Sequence, residues 1–240
     1  MNSFLFRDSL RIITFYSGIN GCLDPRETFF EPIYCLRQDL PVFCTGTEGG
    51  VVHPPVHAHL LGLVNGADDE PIIASCGNPK FDLFTAAEKR KANFYMWNSM
   101  GMASSIGLGL AMARPDKKVI VLDGDGAILM NLNSLTTGAS KAPANLVHII
   151  WDNAQYQITG GQPTHTDGKA DIEAIARGAG FKQALTVDTF VTFKKALSQI
   201  LFQPGPWILV AKTDSSKAPG RPSKSPVYIK NQFMEALRGA

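Results

Sequence analysis

The sequence predicts an α/β fold: a doubly wound, mostly parallel sheet with helices on both faces. Three observations carry that expectation. From about His57 onward, short apolar runs alternate with helix-length stretches, the rhythm of strands joined by crossovers. Several of these runs are apolar throughout, as in strands covered on both faces. Two of them end in polar turns: Val119–Gly126 reads VIVLDGDG and Ile149–Asn153 reads IIWDN, with one helix-length crossover between them. Consecutive parallel strands bring such turns side by side at their carboxyl ends, where open α/β sheets bind ligands.

The elements follow in order. Pro71–Cys76 (PIIASC) reads as a buried strand closed by Gly77-Asn78-Pro79, and Asp82–Arg90 as a short helix. Asn93–Trp97 is a short strand, and Met100–Ala113 is a helix of small residues ending before Pro115. Lys118–Leu122 is a strand, Asn131–Lys141 a crossover helix and Leu146–Trp151 the next strand. Asp171–Gly178 is a helix that stops at glycine, and a short strand follows near Ala184–Val187. Thr189–Leu201 has the pattern of an amphipathic helix, with Asp188 or Thr189 as its cap, and Pro206–Ala211 (PWILVA) is the last strand. Thr213–Pro226, rich in Ser, Lys, Pro and Gly, reads as a surface loop, and Tyr228–Leu237 as a terminal helix. Residues 1–55 show no sustained period and are expected to form a poorly defined N-terminal extension; 56–240 form the α/β domain.

Composition narrows the function classes. The chain has 240 residues, 45% hydrophobic and 18% charged, which suits a globular domain with a full core. A formal net charge of +2 gives no footprint for nucleic acid or an acidic membrane surface. The four cysteines (Cys22, Cys35, Cys44, Cys76) lack Cys-x-x-Cys spacing, as expected of reduced thiols. No apolar run approaches the roughly 18 residues of a membrane span, and the amino terminus lacks a basic, then apolar, leader. A cytoplasmic location is expected. His53, His57 and His59 are interrupted by two prolines and have no carboxylate or thiol at ligand spacing, so they read as surface histidines. His148, inside an apolar strand, reads as a satisfied core histidine, and Asp123 as a residue that shapes the turn after it.

The two polar strand ends carry chemistry. Gly124 and Gly126 let the backbone approach a phosphate without a Cβ, and the N–H groups that open the next helix favour an anion. Asp125 offers a charged oxygen and Asn153 a neutral amide oxygen. Mg²⁺ takes one or two protein oxygens plus phosphate and water, and the backbone carbonyl of Gln155 is a third candidate. Either half alone is an ordinary turn; together they describe a seat for a divalent metal carrying a diphosphate.

These residues resemble the diphosphate-binding half of thiamine-diphosphate-dependent enzymes, whose pattern is Gly-Asp-Gly, a crossover, then Asn. Here the crossover is slightly longer, Asp152-Asn153 stands where Asn-Asn is frequent, and Gln155 where glycine is. Asn98-Ser99-Met100-Gly101 lies upstream at the separation of the family's Gly-x-Met-Gly segment. The resemblance implies that Met100 bends the cofactor and that the Asn98 carbonyl holds its amino group. Ser99, Ala127 and Tyr156 join Asn98, Met100, Gly124, Asp125, Gly126, Asn153 and Gln155 as implied cofactor-binding residues, with Asp125, Asn153 and Gln155 on the metal. Tyr156–Thr164 would lie over the site as a mobile cover or substrate loop, with Thr159-Gly160-Gly161-Gln162-Pro163 at its centre. It is similar to the branch of decarboxylases acting on sulfopyruvate and phosphonopyruvate, as are Ser225–Lys230 and the helix after Met100.

That branch implies a carboxy-lyase converting 3-sulfopyruvate to sulfoacetaldehyde and CO₂, or acting on phosphonopyruvate. It also implies a missing piece. The glutamate that activates the cofactor belongs to a separate pyrimidine-binding domain of roughly 150–180 residues. Glu48 has no strand–helix scaffold around it for that role. A partner α subunit would supply the glutamate, making the enzyme a hetero-oligomer. The sequence assigns no residue to the substrate's anionic head group: Lys91, His165 and Lys169 are available, and each reads first as a solvated charge. Two alternatives stand beside this: another split thiamine enzyme, although iron–sulfur cysteine spacing is missing, and a degenerate cofactor-binding module without catalysis.

Overall fold

The computed structural model describes residues 63–64, 69–216 and 220–239. The expected N-terminal extension, Glu48, the three histidines at 53, 57 and 59, and Cys22, Cys35 and Cys44 lie outside the described residues. What is described is a six-stranded sheet in the order β2-β1-β3-β4-β8-β7, every neighbouring pair parallel. The strands are β1 (Ile72–Ala74), β2 (Asn93–Tyr95), β3 (Val119–Gly124), β4 (Leu146–Asp152), β7 (Gln183–Val187) and β8 (Trp207–Lys212). A two-stranded antiparallel ribbon, β5 (Gln155–Tyr156) and β6 (Gln162–Pro163), stands apart.

The alternation of strand side chains assigns the helices to two faces. Ile72, Ile120, Leu122, Val147, Ile149 and Leu209 form one core with Leu83 of helix α1 (Asn78–Ala87) and Phe193, Leu197 and Ile200 of α6 (Phe190–Phe202). On the opposite face, Ile73, Val119 and Val121 pack against Ala103, Leu108 and Ala111 of α2 (Ala103–Ala113) and Phe233 of α7 (Pro226–Arg238). Further along that face, Ile150, Ile208 and Val210 meet Ile128 of α3 (Asp125–Met130), Leu135 of α4 (Asn133–Lys141) and Ile172 and Ala176 of α5 (Ile172–Gly178). Burying each large aliphatic side chain is worth about 1.5–3 kcal/mol, so the central strands anchor the sheet. The small residues of α2 are there for contact: a Cβ on Gly107 would lie 2.1 Å from Val121 Cγ2.

Most expected elements recur, with shifted ends. Asp171 accepts from the Ala174 N–H at 3.0 Å as the cap of α5, and Thr189 makes a capping box with Thr192 ahead of α6. Helix α1 starts at Asn78, four residues before expected, because Pro79 occupies its first turn, where a missing N–H costs nothing. The crossover helix expected over 131–141 recurs as α4, starting two residues later, and a separate short helix, α3, precedes it. Asn131 leaves helical geometry between them, and its amide donates to the Gly101 carbonyl at 2.6 Å, stitching the break to the start of α2. His148 differs from its expected role: it is buried, but its Nε2 has no hydrogen-bond partner among the described residues and lies 3.4 Å from Asp123 Oδ2. Asp123 does shape the turn, its Oδ1 accepting from the Gly124 N–H at 3.1 Å. Among the described residues no helix is long and apolar enough to cross a membrane.

From β1 the chain steps outward to β2 and then returns to β3 on the other side of β1. That reversal of strand order opens a crevice at the carboxyl ends of β1 and β3.

Candidate active site

The crevice holds a cavity of about 310 Å³. Residues that follow β1, β2, β3, β4 and β8 line it, so five separate stretches of chain converge on one space. Among the residues singled out in the sequence, Asn98, Met100, Gly124, Asp125, Gly126 and Ala127 line this cavity. Asn153, Gln155, Tyr156 and Thr159 close its other side. Ser99, Gly160, Gly161 and Gln162 do not line it; the last three form the turn of the β5–β6 ribbon, with Gln162 Nε2 donating to the Thr159 carbonyl at 3.3 Å. Lys91, His165 and Lys169 are exposed and outside the cavity wall.

The turn after β3 is open where a phosphate needs room: a Cβ on Gly124 would meet nothing within 4 Å. Gly126 is the reverse. A Cβ there would lie 2.4 Å from the Tyr156 ring and 3.3 Å from the Met100 methyl, so glycine lets these two side chains close against the backbone. Met100 reaches this point through a strained turn. Asn98 and Ser99 both have φ of 54° and Gly101 has φ of 86°, a run of left-handed residues that only an imposed geometry sustains.

Asp125 is 2% exposed and starts α3. Burial pushes its carboxyl up to about 6; Asp152 adds to the rise, while hydrogen bonds from Thr164, the Gly126 N–H and Thr166 oppose it. Thr164 Oγ1 donates to Asp125 Oδ2 at 2.5 Å. Thr166 Oγ1 lies 3.2 Å from the same oxygen and 2.7 Å from Asp152 Oδ1. One hydroxyl hydrogen cannot serve both, so Thr166 bridges the two carboxyls as a shared contact. Asp152 is held from behind by Lys212, whose Nζ is 2.5 Å from Oδ2, and by the Ala154 N–H at 3.1 Å.

Asn153 is oriented from both ends. Its Oδ1 accepts from the Gln155 N–H at 3.1 Å and its Nδ2 donates to Gln157 Oε1 at 2.9 Å. An amide oxygen has two lone pairs, so one remains for a ligand. Gln157 also accepts from Asn78 and donates to the Ser215 carbonyl, tying three loops together. Gln155 stands opposite Pro163 in the ribbon, and proline has no N–H to give, so no ladder bond from that residue occupies the Gln155 carbonyl. Thr213 lines the cavity, and its hydroxyl is buried without a hydrogen-bond partner among the described residues. Hard oxygens around an uncluttered glycine turn, with an orphaned hydroxyl beside them, suit a divalent cation and a phosphate. Gln157 and Thr164 were legible only as parts of the loop expected to cover the site, and Thr166, Thr213 and the stretch from Cys76 to Asp82 were not legible as site residues.

Comparison with known proteins gives a consistent picture. The family model described as the thiamine pyrophosphate enzyme C-terminal TPP binding domain matches residues 76–211. The chain is 41% identical to the sulfopyruvate decarboxylase subunit beta of Methanocaldococcus jannaschii, over 72% of this chain and 92% of that protein. It is 34% identical to the phosphonopyruvate decarboxylase of Streptomyces viridochromogenes, over 69% of this chain but 41% of that protein. Benzoylformate decarboxylase from Polynucleobacter necessarius shares the fold with a TM-score of 0.59 at 18% identity, covering 68% of this chain and 34% of that one.

Proposed function

This chain belongs to the thiamine pyrophosphate enzyme family, as its C-terminal TPP binding domain, and from that premise we propose that it is the cofactor-anchoring subunit of a 3-sulfopyruvate decarboxylase. The observation that carries the reading is the paired end of β3 and β4, Asp125 beside Asn153, in a chain that spans 92% of a relative named as a sulfopyruvate decarboxylase beta subunit. Thiamine diphosphate, when bound, supplies the electron sink for loss of CO₂ from a 2-oxo acid.

The chain's own residues bind and orient. The backbone from Gly124 to Ala127 would take the diphosphate. The Asp125 carboxylate, the Asn153 amide oxygen and the Gln155 backbone carbonyl would hold Mg²⁺, a count that leaves positions for phosphate oxygens and water. Thr164 and Thr166 would give up their hold on Asp125 Oδ2 or turn to support it as the metal arrives. Met100, backed by Gly126, would hold the cofactor's bend, with the Asn98 carbonyl at its amino group. Tyr156 and Thr159 would keep water from the reacting face. The cofactor domain would run over 56–240.

The activating glutamate would come from a pyrimidine-binding α subunit, so the working site would sit between two chains. Phosphonopyruvate is the second substrate to consider, because relatives at 34% and 36% identity carry that name; this chain spans only 41% of each. The experiment is direct: release of CO₂ from 3-sulfopyruvate is measured with thiamine diphosphate and Mg²⁺, for the full chain alone and mixed with its α subunit. Turnover is expected in the mixture only. Turnover by the chain alone would remove the partner, and none in either setting would remove the decarboxylase.

A further inference from the structure

The cavity has a second wall that the cofactor motif does not use. It runs from Cys76, just past β1, to Asp82 in the second turn of α1. Lys80 lines the cavity from this wall. Its Nζ donates to the Met96 carbonyl at 3.2 Å and sits 5.1 Å from the ring centroids of both Phe81 and Trp97. An ammonium has three donors, so two remain for a ligand while the rings hold the stem in place. Arg221 lies over the other ring contact, 3.8 Å from the Phe81 centroid, putting a second cation behind the wall.

Asp82 is the more telling member. It is 2% exposed and lines the same cavity, and its Oδ2 is buried with no hydrogen-bond partner among the described residues. A buried polar oxygen left unmatched is rare and asks for a ligand that the protein alone does not supply. Burial pushes this carboxyl up to about 7, with Asp214 adding to the rise and Arg221 opposing it. Below about pH 7 it is mostly protonated and can donate a hydrogen bond, and above that it ionises to an anion. The first turn of α1 has no side-chain cap, so its N–H groups add partial positive charge on the same side.

We propose that Lys80 and Asp82 on this wall form the subsite for the tetrahedral anionic head group of the substrate, a sulfonate or a phosphonate. This rests on the decarboxylase reading and names the residues that would select its substrate class. The ammonium supplies the charge, the carboxylic acid an O–H donor, and Arg221 keeps the local potential positive. A 2-oxo acid held there by its head group would have its keto carbon directed toward the Met100 side of the same cavity, where the cofactor's bend would be held.

The test uses the full chain assembled with its partner subunit and loaded with thiamine diphosphate and Mg²⁺. Calorimetry compares 3-sulfopropanoate, 3-phosphonopropanoate and propanoate, none of which has a keto group to react. The wild type is expected to bind the preferred head-group acid about tenfold or more tightly than propanoate. Lys80→Met, which keeps the apolar stem between the rings, is expected to erase that preference, and Lys80→Arg to retain most of it. Whichever head group binds more tightly identifies sulfonate or phosphonate. The same preference in wild type and Lys80→Met, at equal thermal stability, overturns the subsite. No preference in the wild type overturns it equally. Turnover of 2-oxo acids is scored separately: a complex that keeps a Lys80-dependent preference but decarboxylates nothing refutes the decarboxylase and leaves the subsite standing.

Discussion

The two walls of the cavity are built in opposite ways. The wall after β3 and β4 is built around backbone, an open glycine turn, flanked by one buried carboxyl and one side-chain amide that are fixed by hydrogen bonds to neighbours. The wall after β1 is made by side chains: Lys80 between two rings, Arg221 over one of them, and the orphaned oxygen of Asp82. A backbone cradle suits a ligand that never changes, such as a cofactor's diphosphate. Side chains are where a family can alter what it accepts while keeping the fold. On the proposed reading, the contrast divides the site into a part that anchors and a part that selects.

Three substitutions test that division, beginning with the anchoring wall. Asp125→Ala removes the only carboxylate at the expected metal position. Mg²⁺-dependent binding of thiamine diphosphate, followed by calorimetry, is expected to weaken by more than about 100-fold, beyond the range of outer-shell changes. Unchanged binding would mean that this wall does not anchor the metal. Thr166→Val keeps the volume but removes the hydroxyl shared by Asp125 and Asp152. A loss of roughly 10-fold in metal affinity is expected, with little change in thermal stability, because the hydroxyl orients a ligand and does not itself hold the core. A loss of stability without loss of affinity would make Thr166 structural.

The smallest effect belongs to the selecting wall. The Asp82 carboxyl titrates at about 7 in the fold, against an ordinary value near 3.8. Its contribution to stability is therefore fully present below about pH 4 and is lost as pH rises through 7, since the unfolded chain ionises first. Asp82→Asn mimics the protonated form and escapes that loss. Its unfolding free energy in urea should match wild type near pH 4 and exceed it at pH 8, by an amount on the order of 1–2 kcal/mol. Parallel pH profiles for the two proteins would show that Asp82 ionises freely, and would leave the head group with an anion beside it.

Legibility in the sequence followed the same line. Val119–Leu122 and Leu146–Trp151 read as strands because both faces are buried, and uninterrupted apolar runs record that directly. The β5–β6 ribbon did not, being two residues per strand and too short for any period. The break at Asn131 escaped notice because it depends on a hydrogen bond to Gly101, thirty residues away. In the site, Asp125 and Asn153 were visible because each ends a strand in a turn whose residue types are chemically restrictive. Thr164 meets Asp125 across 39 residues and Lys212 meets Asp152 across 60, and no local pattern encodes such pairings.

The sequence by itself determined the parallel α/β architecture, which follows from burial periodicity, a local property of the chain. Glycines and oxygens at the strand ends pointed to a metal–diphosphate seat, and the resemblance to a family pattern implied the cofactor class and the residues proposed to anchor it. Only the tertiary structure decided that the end of β1 faces the same cavity, because that depends on the chain reversing its strand order between β2 and β3. The reversal brings Lys80 and Asp82 to the space that Asp125 and Asn153 define, and burial there alters the acidity of both carboxyls.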